Sequence, residues 1–152
     1  MRTHLWVLLI VPFFGFPTGA RQAQKPAGAA AAAEYEIPAE AAKRTNPVKA
    51  DETSLAAGKK RFGFDCAMCH GADGDGHGEL ATSAKLKVPD YRDPATLGDK
   101  TDGELFYIIQ HGKGDMPKEG DRAKAEDLWN LVNYVRYLAK KGTPAKEERP
   151  TP

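Results

Sequence analysis

The chain has 152 residues, with 22 Lys and Arg against 21 Asp and Glu and a formal charge of +1. That is the size of one domain with extensions. So near-neutral a chain is not a strongly basic nucleic-acid binder, and it holds no Gly-rich phosphate loop and no Arg stripe interleaved with aromatics.

Met1–His4 carries one Arg, Leu5–Phe16 is apolar apart from Pro12 and Gly15, and Thr18-Gly19-Ala20 offers the small residues that a signal peptidase reads. Residues 1–20 are therefore expected to be a cleaved secretory signal peptide. A retained membrane anchor is the alternative, but the apolar run of about 12 residues falls short of the roughly 20 that span a bilayer. Residues 21–50 hold the Ala29–Ala33 run, Pro26, Pro38 and Pro47, with little apolar periodicity. They are expected to be a disordered linker ahead of a folded domain over 51–142. Residues 143–152 form a polar, proline-flanked tail.

Three helices are expected inside the domain. The first runs from about Ser54 to Phe64, capped by Thr53 or Ser54, with Leu55, Gly58 and Phe62 on one face. The second is Asp102–His111, where Thr101 and Glu104 make a capping box and Gly112 a stop. The third covers about Ala125–Lys141, with Leu128, Leu131, Val132, Val135 and Leu138 at helical spacing and Lys140 and Lys141 at the negative end of its dipole. Gly71–Asp99 reads as loops, and no segment alternates like a strand. The expectation is an all-α fold whose small core leaves room for a bulky apolar cofactor.

The chemistry lies in Phe64-Asp65-Cys66-Ala67-Met68-Cys69-His70-Gly71, which contains the only two cysteines. C-x-x-C-H is a c-type haem attachment pattern. Two thiols about one helical turn apart can add across the two vinyl groups of one haem, and the next residue then sets an imidazole over the iron. A redox dithiol needs a βαβ pattern, which is missing. A zinc site would have to draw on Cys66, Cys69, His70 and His77. For the sixth iron position the candidates are Met68, His77, His111 and Met116. Met68 lies inside the attachment loop, His77 is seven residues past His70, and His111 ends a helix. Met116 is favoured, because a methionine in the polar run Gly112-Lys113-Gly114-Asp115-Met116-Pro117 has no packing reason to be there. Tyr91, Arg92, Trp129 and Lys87 are candidate donors to the haem propionates. The glycine- and aspartate-rich loop after His70 lacks the spacing of a calcium loop.

These features resemble a class I monohaem cytochrome c of the small bacterial type over about Asn46–Lys141. The resemblance rests on Gly58-Lys59-Lys60-Arg61-Phe62, the Cys66–Gly71 motif, Thr101–Leu105, Met116-Pro117 and Trp129 through Leu138. It implies the cytochrome c fold, three to five short helices and long loops around one covalent haem c. It also implies that the first and last helices cross closely, with Gly58 and Phe62 meeting Leu131 and Tyr134, and that a carbonyl near Pro89 accepts from the proximal imidazole.

Axial ligation by His70 and Met116 would leave no open iron position and would favour a one-electron carrier with a raised potential. The expected partners are redox proteins outside the cytoplasm, such as a quinol-oxidising complex, a terminal oxidase or a dehydrogenase. Docking would be transient and steered by Lys59, Lys85, Lys87, Lys113 and Lys118. Membrane contact is expected only through partners or an uncleaved N-terminus, and the free protein is expected to be a monomer. The alternative is a haem subunit tethered in a larger respiratory or dehydrogenase complex. Peroxidase activity would require Met116 to dissociate readily.

Overall fold

The computed structural model describes residues 35–142, so the expected signal peptide, the first part of the expected linker and the tail lie outside the described residues. Among the described residues seven helical segments follow one another: α1 Ala39–Ala42, α2 Glu52–Asp65, α3 Ala67–His70, α4 Glu79–Ala84, α5 Pro94–Leu97, α6 Asp102–His111 and α7 Ala125–Gly142. Among the described residues there is no strand, only an isolated bridge between Lys113 and Met116. The three long helices fall where helical periodicity placed them. The count exceeds the expected three to five because α1, α3, α4 and α5 are one or two turns each, too short for periodicity to register. Two of them, α4 and α5, lie in the stretch read as loops. The cap of α2 also differs from expectation: Asp51, not Thr53 or Ser54, accepts the Ser54 amide. The capping box of α6 is present as read, with Thr101 and Glu104 exchanging hydrogen bonds.

The core is the crossing of α2 on α7. Gly58 lies against the Asn130 carbonyl and the Tyr134 side chain, so closely that a β-carbon there would overlap both. One turn on, the Phe62 and Tyr134 rings meet at 5.4 Å. Leu131 is buried in the same cluster. Beside this contact runs a polar network that the sequence did not announce. Ser54 Oγ donates to Asn130 Oδ1 at 2.6 Å, Asn133 Nδ2 donates to Ser54 Oγ at 2.8 Å, and Asn46 Nδ2 donates to Asn133 Oδ1 at 2.8 Å. Buried amides are tolerated because each finds a partner. α6 joins the core through Phe106, whose ring lies 4.1 Å from that of Trp129 on α7. Arg136 of α7 ties down the segment before α6 by donating to Asp102, the Leu97 carbonyl and the Lys100 carbonyl.

The expected boundary at residue 51 lies inside the folded unit. Residues 35–50 form a strap along α6 and α7. Thr101 Oγ1 donates to the Ala42 carbonyl at 2.7 Å, Arg44 lies over the Phe106 ring at 4.2 Å, and Asn46 Nδ2 also donates to the Trp129 carbonyl. Buried Ala41 packs where Gly103 leaves no side chain in the way. Polar bonds and cation–aromatic contacts hold the strap, so apolar periodicity carries no trace of it.

Gly58→Ala should lower the stability of the haem-loaded protein by about 1–3 kcal/mol in a denaturant titration, the usual cost of overpacking. Gly63→Ala, on the same helix with open space around it, should be neutral or stabilising by about 0.5–1 kcal/mol.

Candidate functional site

α2 ends beside the site and hands the chain directly to α3. Cys66 closes α2 through its amide on the Phe62 carbonyl, and its own carbonyl accepts from Cys69 at 3.1 Å and from His70 at 2.8 Å. Cys66 and Cys69 thus stand one turn apart and His70 follows on the same turn. The loop after it folds back onto this turn: Gly76 donates to the His70 carbonyl and Gly78 to the Cys69 carbonyl. The Tyr91 amide donates to the Gly74 carbonyl at 2.7 Å, which brings the 86–91 segment against His70.

A cavity of about 540 Å³ opens at this point, within the range of about 300–1,000 Å³ usual for cofactor and ligand sites. Cys66, Cys69, His70 and Met116 all line it. Its apolar walls come from Val88 and Tyr91, from Leu97 of α5, from Leu105 and Ile109 of α6, and from Val135 of α7. His70 is buried, stacked on Tyr91 at 4.7 Å with the rings within 15° of parallel. Burial pulls its pKa down to about 4, so the imidazole is neutral at physiological pH, the form that binds a metal. Burial, with smaller contributions from Glu119 and Asp65, pushes the Cys66 thiol up to about 12. The two cysteines are not bonded to each other.

The residues fit a haem on this geometry. His70 Nδ1 is buried with no hydrogen-bond partner, an orphan for which a neighbouring main-chain carbonyl would be the natural acceptor. Pro89 lines the same cavity. Among the described residues no three His, Cys, Asp or Glu side chains converge as a metal-binding group, so the zinc alternative has no ligand set. His77 is exposed and turned onto the Asp75 carbonyl, and His111 is exposed and stacked on Tyr107. Neither lines the cavity, and Met68 is 60% exposed.

The expected propionate donors separate. Tyr91 lines the cavity, as does Lys87. Arg92 is outside it, bonded to Asp90 at 3.0 and 2.9 Å. Trp129 is buried against Phe106, with the Arg44 guanidinium over both rings, also outside. Thr96, Lys100 and Glu119 line the cavity without having been singled out. Glu119 is the least expected of them. It is only 2% exposed, one oxygen is paired with Arg122, and the other is buried without a partner. A charged residue in a polar loop carries no periodicity signal of burial.

A family model described as cytochrome c oxidase, cbb3-type, subunit III matches residues 53–135, more than half of the chain. The chain belongs to the cytochrome c family. The cytochrome c6 of Cladophora glomerata is 34% identical over 85 residues, 56% of this chain and 89% of that protein. The cytochrome c6 of Parathermosynechococcus lividus is 31% identical over 88 residues, covering 58% and 94%. A chain of the reducing HAO-like protein complex of Kuenenia stuttgartiensis superposes with a TM-score of 0.54 at 24% identity, over 60% of this chain and 46% of that one, which bears on the fold alone. This cytochrome is a small all-α, monohaem protein with a covalently bound haem c and its iron, and its role is that of a haem c electron carrier. Among its described residues no helix is long and apolar enough to cross a membrane.

Gly76 has φ +76, and a β-carbon there would press on the Val88 carbonyl, so the segment that walls the cavity depends on it. Gly76→Ala should lower the thermal stability of the haem-loaded cytochrome by an amount equivalent to about 1–3 kcal/mol. Calorimetry checks this.

Proposed function

We propose that the protein carries single electrons between redox proteins outside the cytoplasm. In this reading Cys66 and Cys69 would hold the haem by thioethers, and His70 and Met116 would ligate its iron. One observation carries it: a single apolar cavity is lined at once by both thiols, a neutral buried imidazole and a methionine sulfur. When bound, the haem supplies reversible one-electron chemistry between ferrous and ferric iron. The chain's part is to position and to exclude. Tyr91 stacks on the proximal ring and fixes its plane, and a carbonyl from the 88–89 segment would take the His70 Nδ1 proton in a hydrogen bond, raising the ligand's basicity. The aliphatic walls would keep water from the bound iron. Soft thioether sulfur favours the ferrous state and raises the potential. Lys87, Thr96, Lys100 and Lys113 line the cavity and supply donors suited to the propionates.

Two features qualify the surface of this carrier. Lys87 and Lys113 are exposed, line the cavity and suit the steering of an acidic partner, whereas Lys59 lies on the outer face of α2 and Lys118 is paired with Asp121. The matched family, a subunit of an oxidase, favours a second reading, a haem subunit held in a larger oxidoreductase. Co-migration of the native protein with a larger complex on size exclusion would support that reading, and a free monomer would support the shuttle. Export by an N-terminal signal peptide belongs to the proposal in either case.

The test is carbon monoxide binding together with potentiometry. The ferrous protein should leave carbon monoxide unbound and titrate as one one-electron couple. Rapid carbon monoxide binding would contradict the sealed His/Met centre.

Replacing both Cys66 and Cys69 by Ala should release the haem under denaturing conditions, as read on a haem-stained gel. Glu119→Gln removes a buried negative charge from the cavity wall, which stabilises ferric iron more than ferrous. The midpoint potential should therefore rise by tens of millivolts, since about 1 kcal/mol on a one-electron couple corresponds to roughly 40 mV. Spectroelectrochemistry reads the shift.

A further inference from the structure

Met116 sits in a loop that leaves α6 at Gly112 and is closed by the paired Lys113 and Met116 backbone bonds of 3.1 and 3.0 Å. The loop then returns to α6 through the Glu119 and Gly120 amides, which donate to the Ile109 and Gln110 carbonyls. Between these two anchors it has one side-chain tether. Tyr35 Oη donates to the Gly112 carbonyl at 2.7 Å. The Tyr35 ring meets Tyr107 of α6 edge-on at 6.3 Å, and the Lys113 ammonium lies 5.2 Å from its centre. Among the described residues no other side chain hydrogen-bonds the 112–116 backbone. Gly112 packs so closely on the Met116 carbonyl that a β-carbon would not fit between them. The 35–50 strap that delivers Tyr35 is itself fixed along α6 and α7 by Thr101, Arg44 and Asn46, and it lies outside the 53–135 segment matched by the family model.

We propose that Tyr35 is a positioning residue: through the Gly112 carbonyl it latches the methionine loop and slows release of Met116 from the iron. The inference rests on the assignment of Met116 as axial ligand. An exogenous ligand can reach the iron only after the methionine leaves, so the latch governs how quickly the sealed carrier becomes an open haem. Residues that look like a lead into the domain thereby help keep its chemistry to electron transfer.

The test uses the haem-loaded ferric protein and imidazole as the probe. At saturating imidazole, loss of the far-red sulfur-to-iron band reports the rate of methionine release. Tyr35→Phe keeps the ring and its packing and removes only the hydroxyl. It should raise that rate roughly fivefold, the factor a typical hydrogen bond supplies. Gly58→Ala overpacks the α2–α7 crossing away from both the strap and the loop, and it should raise the rate much less. A Tyr35→Phe rate equal to that of the wild type overturns the latch, as does an equal acceleration in Gly58→Ala, which would mark a general loss of stability. A wild-type ferric protein without the band would remove the Met116 ligand itself, a failure separable from that of the latch.

Discussion

The crossing of α2 and α7 at Gly58 is the contact from which the site is built. Backbone carbonyl against bare α-carbon sets the two helices closer than any side chain would allow. Because α2 runs from that contact straight into Cys66, and α3 continues from Cys66 to His70, the crossing fixes where both thiols and the imidazole stand. α7 in turn brings Val135 to the cavity wall and, through Arg136, holds the segment leading to α6. The methionine loop hangs from the end of that helix. Proximal and distal sides of the cavity therefore refer back to one helix pair, which is why a chain with so few long helices can hold a site of this size.

A chain of this size buries a limited core, and here part of its volume is a cavity lined by aliphatic side chains. Such walls exposed to water are unfavourable at about 25 cal/mol per Å². An apolar macrocycle held there would cover them, so the cofactor would serve as core as well as redox centre. The neutral state of His70 follows from the same burial. Burial that would penalise a protonated imidazole favours a ligating one, and its Nδ1 stands buried without a partner. Packing and coordination thus make the same demand on the same residues.

Legibility in the sequence followed the nature of each signal. Cys66, Cys69, His70 and Met116 line one cavity, as their motif and loop context implied, and the crossing partners Gly58, Phe62 and Tyr134 meet as the family resemblance implied. Helical periodicity located α2, α6 and α7 because each repeats its apolar face for several turns. What remained hidden depends on single polar contacts. Tyr35, Arg44 and Asn46 lie in an alanine- and proline-rich stretch that reads as a linker, yet each finds partners in the fold. Arg92 and Trp129 looked like propionate donors by residue type, but a nearby aspartate holds the first and an aromatic stack the second. Burial of Glu119 depends on the return of its loop onto α6, which no local pattern encodes.

The central claim is that His70 and Met116 close the iron from its two sides. Iron-edge X-ray absorption on the haem-loaded ferric protein measures the ligand set without reference to function. The account predicts five nitrogen neighbours and one sulfur in wild type, with the sulfur lost in Met116→Ala. Six nitrogen or oxygen neighbours in wild type, or a sulfur that survives the substitution, would contradict it.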